Sequence, residues 1–181
     1  YQFRRPLLAK KTKDLGVLDA VAKVAGWGQP LPKGVFRGIA LSDSYGSYTA
    51  AVVELSVKDG TVIDVHRVVV AIDPGHIVHP DAVKAQIESG VVWALSMVMY
   101  EEITIKDGRV EQTNFTDYPV ARLADIPQKV ESVLVPSGGF WGGVGEPPIA
   151  AVTPALCNAL FAATGKRIRS LPLKHHGFSF A

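Results

Sequence analysis

The chain has 181 residues, 48% of them hydrophobic and 20% charged, with a formal net charge of +2. That balance fits one globular domain or two small ones, and the near-neutral charge argues against nucleic acid as the main partner, because phosphate binding needs a dense basic face. The single cysteine, Cys157, excludes both an internal disulfide framework and a self-contained cysteine metal site.

The opening Tyr1-Gln2-Phe3-Arg4-Arg5-Pro6 has no initiator methionine and no apolar core behind it. It reads as a cut inside a longer chain, and the Arg4-Arg5 pair is not an export signal. Leu15 to Gly26 predicts an amphipathic helix: Leu18, Val21, Ala22 and Ala25 share one face and Gly26 stops it. Gln29 to Gly34 is an irregular link, so residues 1–33 read as helix and linker from a preceding domain and residues 34–181 as the next one. Tyr48 to Val57 and Thr61 to Ile72 are rich in Val, Ile and Thr and are joined by Lys58-Asp59-Gly60, a hairpin signal. Asp73-Pro74-Gly75 is a turn. Pro80 to Met99 is the clearest helix, with Pro80 and Asp81 suited to its start and Val83, Ile87, Val91, Leu95 and Val98 forming its apolar stripe. A short hairpin over Glu102 to Gln112 turns at Asp107-Gly108. Thr113 to Asp125 has no clean period and is expected as a loop. Lys129 to Val135 alternates like a strand, Ile149 to Thr164 is helical, and Pro154 must kink that helix or sit in its first turn. Lys166 to Leu173 is expected as a last edge strand. The longest apolar stretch, Val91 to Met99, is about half of what a bilayer requires, so a soluble segment is expected. Hairpins and separate helices together predict an α+β fold, a mixed sheet with helices packed on it.

Ser137 to Pro148 is the stretch that carries chemistry. Its five glycines let the backbone take positive φ angles and approach other groups closely. Glu146 closes the loop, and Pro147 and Pro148 stiffen the backbone behind it. Phe140, Trp141, Val144 and Ile149 surround it in sequence, so desolvation is expected to tune the acid toward use as a base. A glutamate before a helix also serves the helix dipole or a cap, and the residues alone leave both roles open. His76 and His79, three apart, lack a third ligand at a convincing spacing and read as part of a turn.

Val144-Gly145-Glu146-Pro147-Pro148, then Pro154-Ala155-Leu156-Cys157-Asn158-Ala159-Leu160 and Thr164 to Leu173, resemble the C-terminal end of xanthine oxidase-type molybdenum hydroxylases. The branch most similar is the isoquinoline 1-oxidoreductase beta-subunit type, which includes bacterial aldehyde dehydrogenases and N-heterocycle hydroxylases. The resemblance also takes in Tyr1 to Trp27, Ser44 to Tyr48, Val69 to Pro80, Gln86 to Gly90 and Asn114 to Val120. It implies the C-terminal part of a molybdopterin-binding domain.

In that family the glutamate of Gly-Glu-Pro takes the proton from a metal-bound hydroxide, which attacks an aldehyde or N-heteroaromatic carbon, and water is the oxygen source. Glu146 matches it. Gln86 matches a glutamine near the pterin and metal ligands, and as an amide it can donate and accept. A polar helix position facing water is the plain alternative. Gly143, Val144 and Gly145 are implied as cofactor-binding, and Phe140 and Trp141 as part of a substrate pocket, with no protein ligand to the metal itself. Tyr45, Tyr48, Phe115 and Tyr118 fall in matched segments and are expected either to border the site or to pack. Two positions depart from the family: Ser89 stands where glycine is usual, and Trp141 begins a stretch that is usually Pro-Gly-Gly.

The implied cofactor is molybdenum-molybdopterin, in the cytosine dinucleotide form, held by the full-length subunit and not by this segment alone. The implied partners are the rest of the large subunit, a small 2Fe–2S subunit, a cytochrome c-type subunit and a small-molecule substrate. The branch suggests a periplasmic place or one at the membrane through partners, with the cytoplasm left open. The alternative is an isolated scaffold or interaction fragment that binds no cofactor.

Overall fold

Two long strands of this chain are apolar on both faces, which requires a cover on each side. In chain order the elements are α1 (Arg4–Leu7), α2 (Thr12–Val24), β1 (Phe36–Ser44), β2 (Ser47–Lys58), β3 (Val62–Asp73), α3 (Pro80–Met99), β4 (Ile105–Lys106), β5 (Arg109–Val110), β6 (Lys129–Leu134), α4 (Pro147–Thr164) and β7 (Ser179–Phe180). The computed structural model describes all 181 residues. Strands run β1-β2-β3-β6 across one mixed sheet, and β7 also pairs with β3. β1, β2 and β3 are antiparallel, whereas β6 and β7 are parallel to β3. The β3–α3–β6 connection is therefore a crossover, and β4–β5 is a separate small hairpin.

The sheet divides its residues by alternation. Ala51, Val53 and Leu55 of β2 and Val68, Val70 and Ile72 of β3 face α3 and α4 in the larger core. Ala50 and Val52, with Val69 and Ala71, face α2, where Val17, Leu18, Val21 and Ala22 are buried. The register shifts between Glu54 and Leu55, which pair with Arg67 and Val65. That extra residue on β3 brings Val65 and Ile63 back to the larger core after Val68; without it they would face the other way. At the end of α2, Arg37 donates to the Gly26 carbonyl at 2.7 Å and Arg67 to the Val24 carbonyl at 2.9 Å. Both cations stand 3.8 Å from Glu54, and Arg67 also pairs with Glu131. Partial burial works to raise the Glu131 carboxyl, but hydrogen bonds and charge from Arg67 and Lys129 outweigh it and hold the group below its usual range.

The α+β fold and mixed sheet are as expected, with four differences in the elements. β1 is a strand although Gly38, Ser42, Asp43 and Ser44 give it little strand character; pairing with β2 makes it one. Lys166–Leu173 is not a strand. Arg167 instead stacks 3.5 Å from the Phe161 ring centre, Leu173 starts a 3-10 turn, and β7 takes the place beside Val62 and Ile63. α4 starts two residues early, because Pro147 and Pro148 occupy its first positions, where a missing N–H costs nothing. Pro154 lies inside it, on the exposed side, where water reaches the carbonyl that Pro154 leaves free. α4 is also the one helix long and apolar enough to cross a membrane, a longer apolar run than Val91–Met99. Ala151, Val152, Ala155, Leu156, Ala159 and Leu160 are nevertheless core residues, so it is the buried helix of this fold.

α4 lies against β1 without a side chain between them at Gly38. A Cβ there would stand 2.2 Å from both the Ala155 carbonyl oxygen and the Ala159 nitrogen. These are backbone atoms, so the helix itself must move. Gly38→Ala is expected to destabilise the chain by about 1–3 kcal/mol, read as a lower urea midpoint. An unchanged midpoint would show that the contact is looser than this.

Candidate active site

The β1–β2 turn, the turn after β3, the loop 136–146 and the start of α4 meet at one end of the sheet. Long-range hydrogen bonds hold the loop there. Asp73, buried, accepts from the N–H of Gly75 at 2.9 Å and from the N–H and hydroxyl of Ser137, both at 3.1 Å. Gly138 and Gly142 donate to the carbonyls of Gly75 and Pro74 at 3.0 and 2.8 Å. Gly143 donates to the Tyr45 carbonyl at 2.8 Å, and the buried Ser47 hydroxyl donates to the Gly143 carbonyl. Thr49 reaches the Pro147 carbonyl at 3.1 Å. Of the five loop glycines only Gly138 and Gly139 have positive φ. Gly142 serves close approach: a Cβ on it would lie 2.2 Å from the Ser47 hydroxyl oxygen.

Glu146 stands at the N-cap position of α4 but makes no side-chain cap hydrogen bond. Helix capping therefore does not occupy it. It is exposed, as are Phe140 and Trp141, so the desolvation expected from its sequence neighbours is not supplied by this chain. The two rings turn outward: Phe140 is 86% exposed and Trp141 56%. They meet edge to face at 5.7 Å between ring centres, and Trp141 meets His76 at 6.1 Å.

Gln86 is exposed on α3, and its side chain makes no hydrogen bond within the chain. The loop arrives directly beside it. A Cβ on Gly145 would lie 3.9 Å from the Gln86 carbonyl oxygen, and Gly90, one turn on, sits under Pro148. Val144 is half-buried against the core, whereas Gly143 and Gly145 are exposed. The N–H groups of Val144 and Gly145 take no part in the chain's own hydrogen bonds. Gln86, Gly143, Val144, Gly145 and Glu146 thus come together from α3 and the loop, and Phe140 and Trp141 flank them.

Other expected residues have ordinary places. His79 caps α3, accepting from the Ala82 N–H at 3.1 Å. No group of three His, Cys, Asp or Glu residues comes together as a metal cluster. Tyr118 donates to Glu101, beyond the far end of α3 and about 20 Å along it from Gln86. Tyr48 lies under Lys13. A cavity of about 310 Å³ between α4 and Arg167–Leu171 includes Cys157, whose thiol burial pushes up; it does not include Glu146. Sequence reading missed Asp73, Ser47 and Gly142 as positioning residues. It grouped Tyr45 with three other aromatics, although Tyr45 lies against Gly143 in the loop that ends at Glu146. The nearby Glu146 carboxylate pushes the phenol's ionisation above the usual range.

Comparisons with known proteins bear on the family and the fold. Residues 33–127 match the family described as molybdopterin cofactor-binding domain. The chain is 31% identical over 176 residues to the isoquinoline 1-oxidoreductase subunit beta of Brevundimonas diminuta, covering 95% of this chain and 22% of that protein. It is also 31% identical over 168 residues to a membrane-bound aldehyde dehydrogenase of Gluconacetobacter polyoxogenes, covering 90% of this chain and 22% of that one. It therefore spans about a fifth of the length of these relatives. Among solved structures, the aldehyde oxidoreductase of Desulfovibrio desulfuricans superposes with a TM-score of 0.60 at 26% identity, over 70% of this chain and 14% of that one. A Cu,Mo-CO dehydrogenase shares the fold with a TM-score of 0.59 at 23% identity, over 70% and 17% of the two chains.

Proposed function

The chain belongs to the molybdopterin cofactor-binding domain family, and on that premise we propose that it forms one wall of the molybdenum site of a hydroxylase large subunit, with Glu146 as general base. The observation that carries this reading is the meeting of Glu146, Gln86 and the exposed backbone of Gly143–Gly145 at one end of the sheet. The groups fit a cofactor edge that both donates and accepts. Gln86 offers an uncommitted amide, Val144 and Gly145 offer free N–H groups, and the glycines carry no side chain to block approach. The side is open, so the rest of the large subunit closes it and excludes water.

The bound cofactor, molybdenum-molybdopterin in its cytosine dinucleotide form, supplies the two-electron oxidation. The chain's own residues do the rest of the work assigned here. Glu146 accepts a proton from the oxygen that attacks the substrate carbon, which makes that oxygen a stronger nucleophile. Gln86 orients the polar edge of the cofactor. Phe140 and Trp141 offer ring faces to an aromatic substrate. The net reaction adds a water-derived oxygen to an aldehyde or N-heteroaromatic carbon and releases two electrons and two protons. A 2Fe–2S cluster outside these 181 residues takes the electrons, because one cysteine cannot hold it; on this reading a small subunit carries it and a cytochrome c-type subunit passes the electrons on.

Turnover in oxygen-18 water by the cofactor-loaded enzyme tests the reaction class. One labelled atom per product is expected. Product labelled from dioxygen instead would exclude the proposal.

A further inference from the structure

The cavity of about 310 Å³ between α4 and the strip Arg167–Leu171 carries positive charge that the chain does not balance. Arg167 and Arg169 both line it, neither belongs to an ion pair, and no Asp or Glu stands in its wall. Arg167 is fixed on two sides. Its guanidinium stacks 3.5 Å from the Phe161 ring centre, and its Nη1 donates to Asn158 Oδ1 at 3.0 Å. Asn158 is held in turn, because its amide nitrogen donates to the Ile39 carbonyl at 3.0 Å. Nε and Nη2 of Arg167 have no partner in the chain, so one edge of a planar donor fork stays free. The charge acts inside the cavity: Arg167 works to lower the Cys157 thiol there, against the burial that raises it. The strip's own N–H groups, from Arg167 to Leu171, are likewise not taken up by the chain's backbone hydrogen bonds. His176 Nε2 lies 3.0 Å from the Ser170 carbonyl oxygen and ties the strip down at that end.

These donors suit an anion with several oxygens. A phosphate group carries up to two negative charges and three strong acceptor oxygens, a match for two guanidinium groups, whereas a carboxylate offers one charge and two oxygens. Ile168 and Leu171 add an apolar wall beside the cations, where the organic part of a ligand can lie. We propose that this cavity binds a small phosphate ester, with Arg167 and Arg169 on the phosphate oxygens and Ile168 and Leu171 against the organic body. Binding is non-covalent. Asn158 is about 18 Å along α4 from Glu146, and the inference does not rest on the reading of Glu146 as the base.

The test uses the cofactor-loaded enzyme, in which the cofactor's own phosphates are already placed, with phenyl phosphate as the ligand. Cys157 lines the cavity and serves as the reporter. Its alkylation by iodoacetamide at mildly alkaline pH is followed by mass spectrometry of the Cys157 peptide. Phenyl phosphate is expected to slow that reaction saturably, about threefold or more, whereas chloride at equal ionic strength leaves it unchanged. Arg169→Gln removes a side chain that is exposed and forms no ion pair, so folding is not at stake, and it is expected to weaken the ligand about tenfold, the loss of one charge-assisted contact. Arg167→Lys is expected to weaken it as well, because an ammonium keeps the charge and loses the stacked fork. Inorganic phosphate is expected to bind less tightly than the ester, and benzoate less tightly still. No saturable protection, or unchanged affinity in Arg169→Gln, would overturn the proposal. Benzoate or inorganic phosphate as effective as the ester would overturn the assigned ligand class. A Cys157 already unreactive without ligand would overturn the proposal too, since the rest of the subunit would then fill the cavity.

Discussion

Glu146→Gln in the cofactor-loaded enzyme is expected to lower kcat by about 10²–10⁴-fold while molybdenum content stays unchanged. The amide has the size and shape of the acid but cannot take up a proton at neutral pH. The loop does not depend on the charge. It is held by Asp73, Ser47 and the carbonyls of Pro74, Gly75 and Tyr45, and Glu146 makes no cap bond to α4. Loss of turnover with the metal retained therefore separates chemistry from folding. Loss of molybdenum together with activity would make Glu146 a structural residue of the pocket, and normal turnover would remove it from the reaction.

Gly142→Ala is expected to have the next largest effect, about 10²-fold in kcat, through displacement of the loop. Its Cβ would lie 2.2 Å from the Ser47 hydroxyl oxygen and 2.6 Å from the Gly46 carbonyl carbon and oxygen. Ser47 is fully buried in β2 and cannot step aside. The loop must lift, stretching the bonds from Gly142 to Pro74 and from Gly143 to Tyr45, and Glu146 moves with it. A shift of about 1 Å at a catalytic group is enough for a loss of that size. Because the loop is exposed, the stability loss is expected to be smaller than for Gly38→Ala, where helix backbone is in the way. Full activity in Gly142→Ala would show that the loop's seat on the hairpin does not set the position of the acid.

Much of this was legible in the residues, and what was not has a physical reason. The apolar stripe from Val83 to Val98, with Pro80 at its start, fixed α3 at Pro80–Met99 because local periodicity and tertiary burial agree there. The β2–β3 hairpin was legible because Asp59-Gly60 takes the positive φ pair that such a turn demands. β1 was not legible, since its strand state comes from pairing and from α4 resting on Gly38, neither of which is local. Glu146 and Gln86 could be singled out one by one, but their meeting depends on a loop tied to Asp73, 64 residues before Ser137, and to Ser47, 96 residues before Gly143. The expected desolvation of Glu146 failed for a related reason. Sequence neighbours such as Phe140 and Trp141 are not spatial covers, and here they face outward.

The structure of the cofactor-loaded large subunit, read for the distance from the Glu146 carboxylate to the nearest ligand atom on molybdenum, tests the central claim most directly. A separation within hydrogen-bonding reach, roughly 3 Å or one bridging water, is predicted, with the Gln86 amide against the same cofactor. A carboxylate turned away from the metal, with α3 and the glycine loop packed on something else, would contradict it.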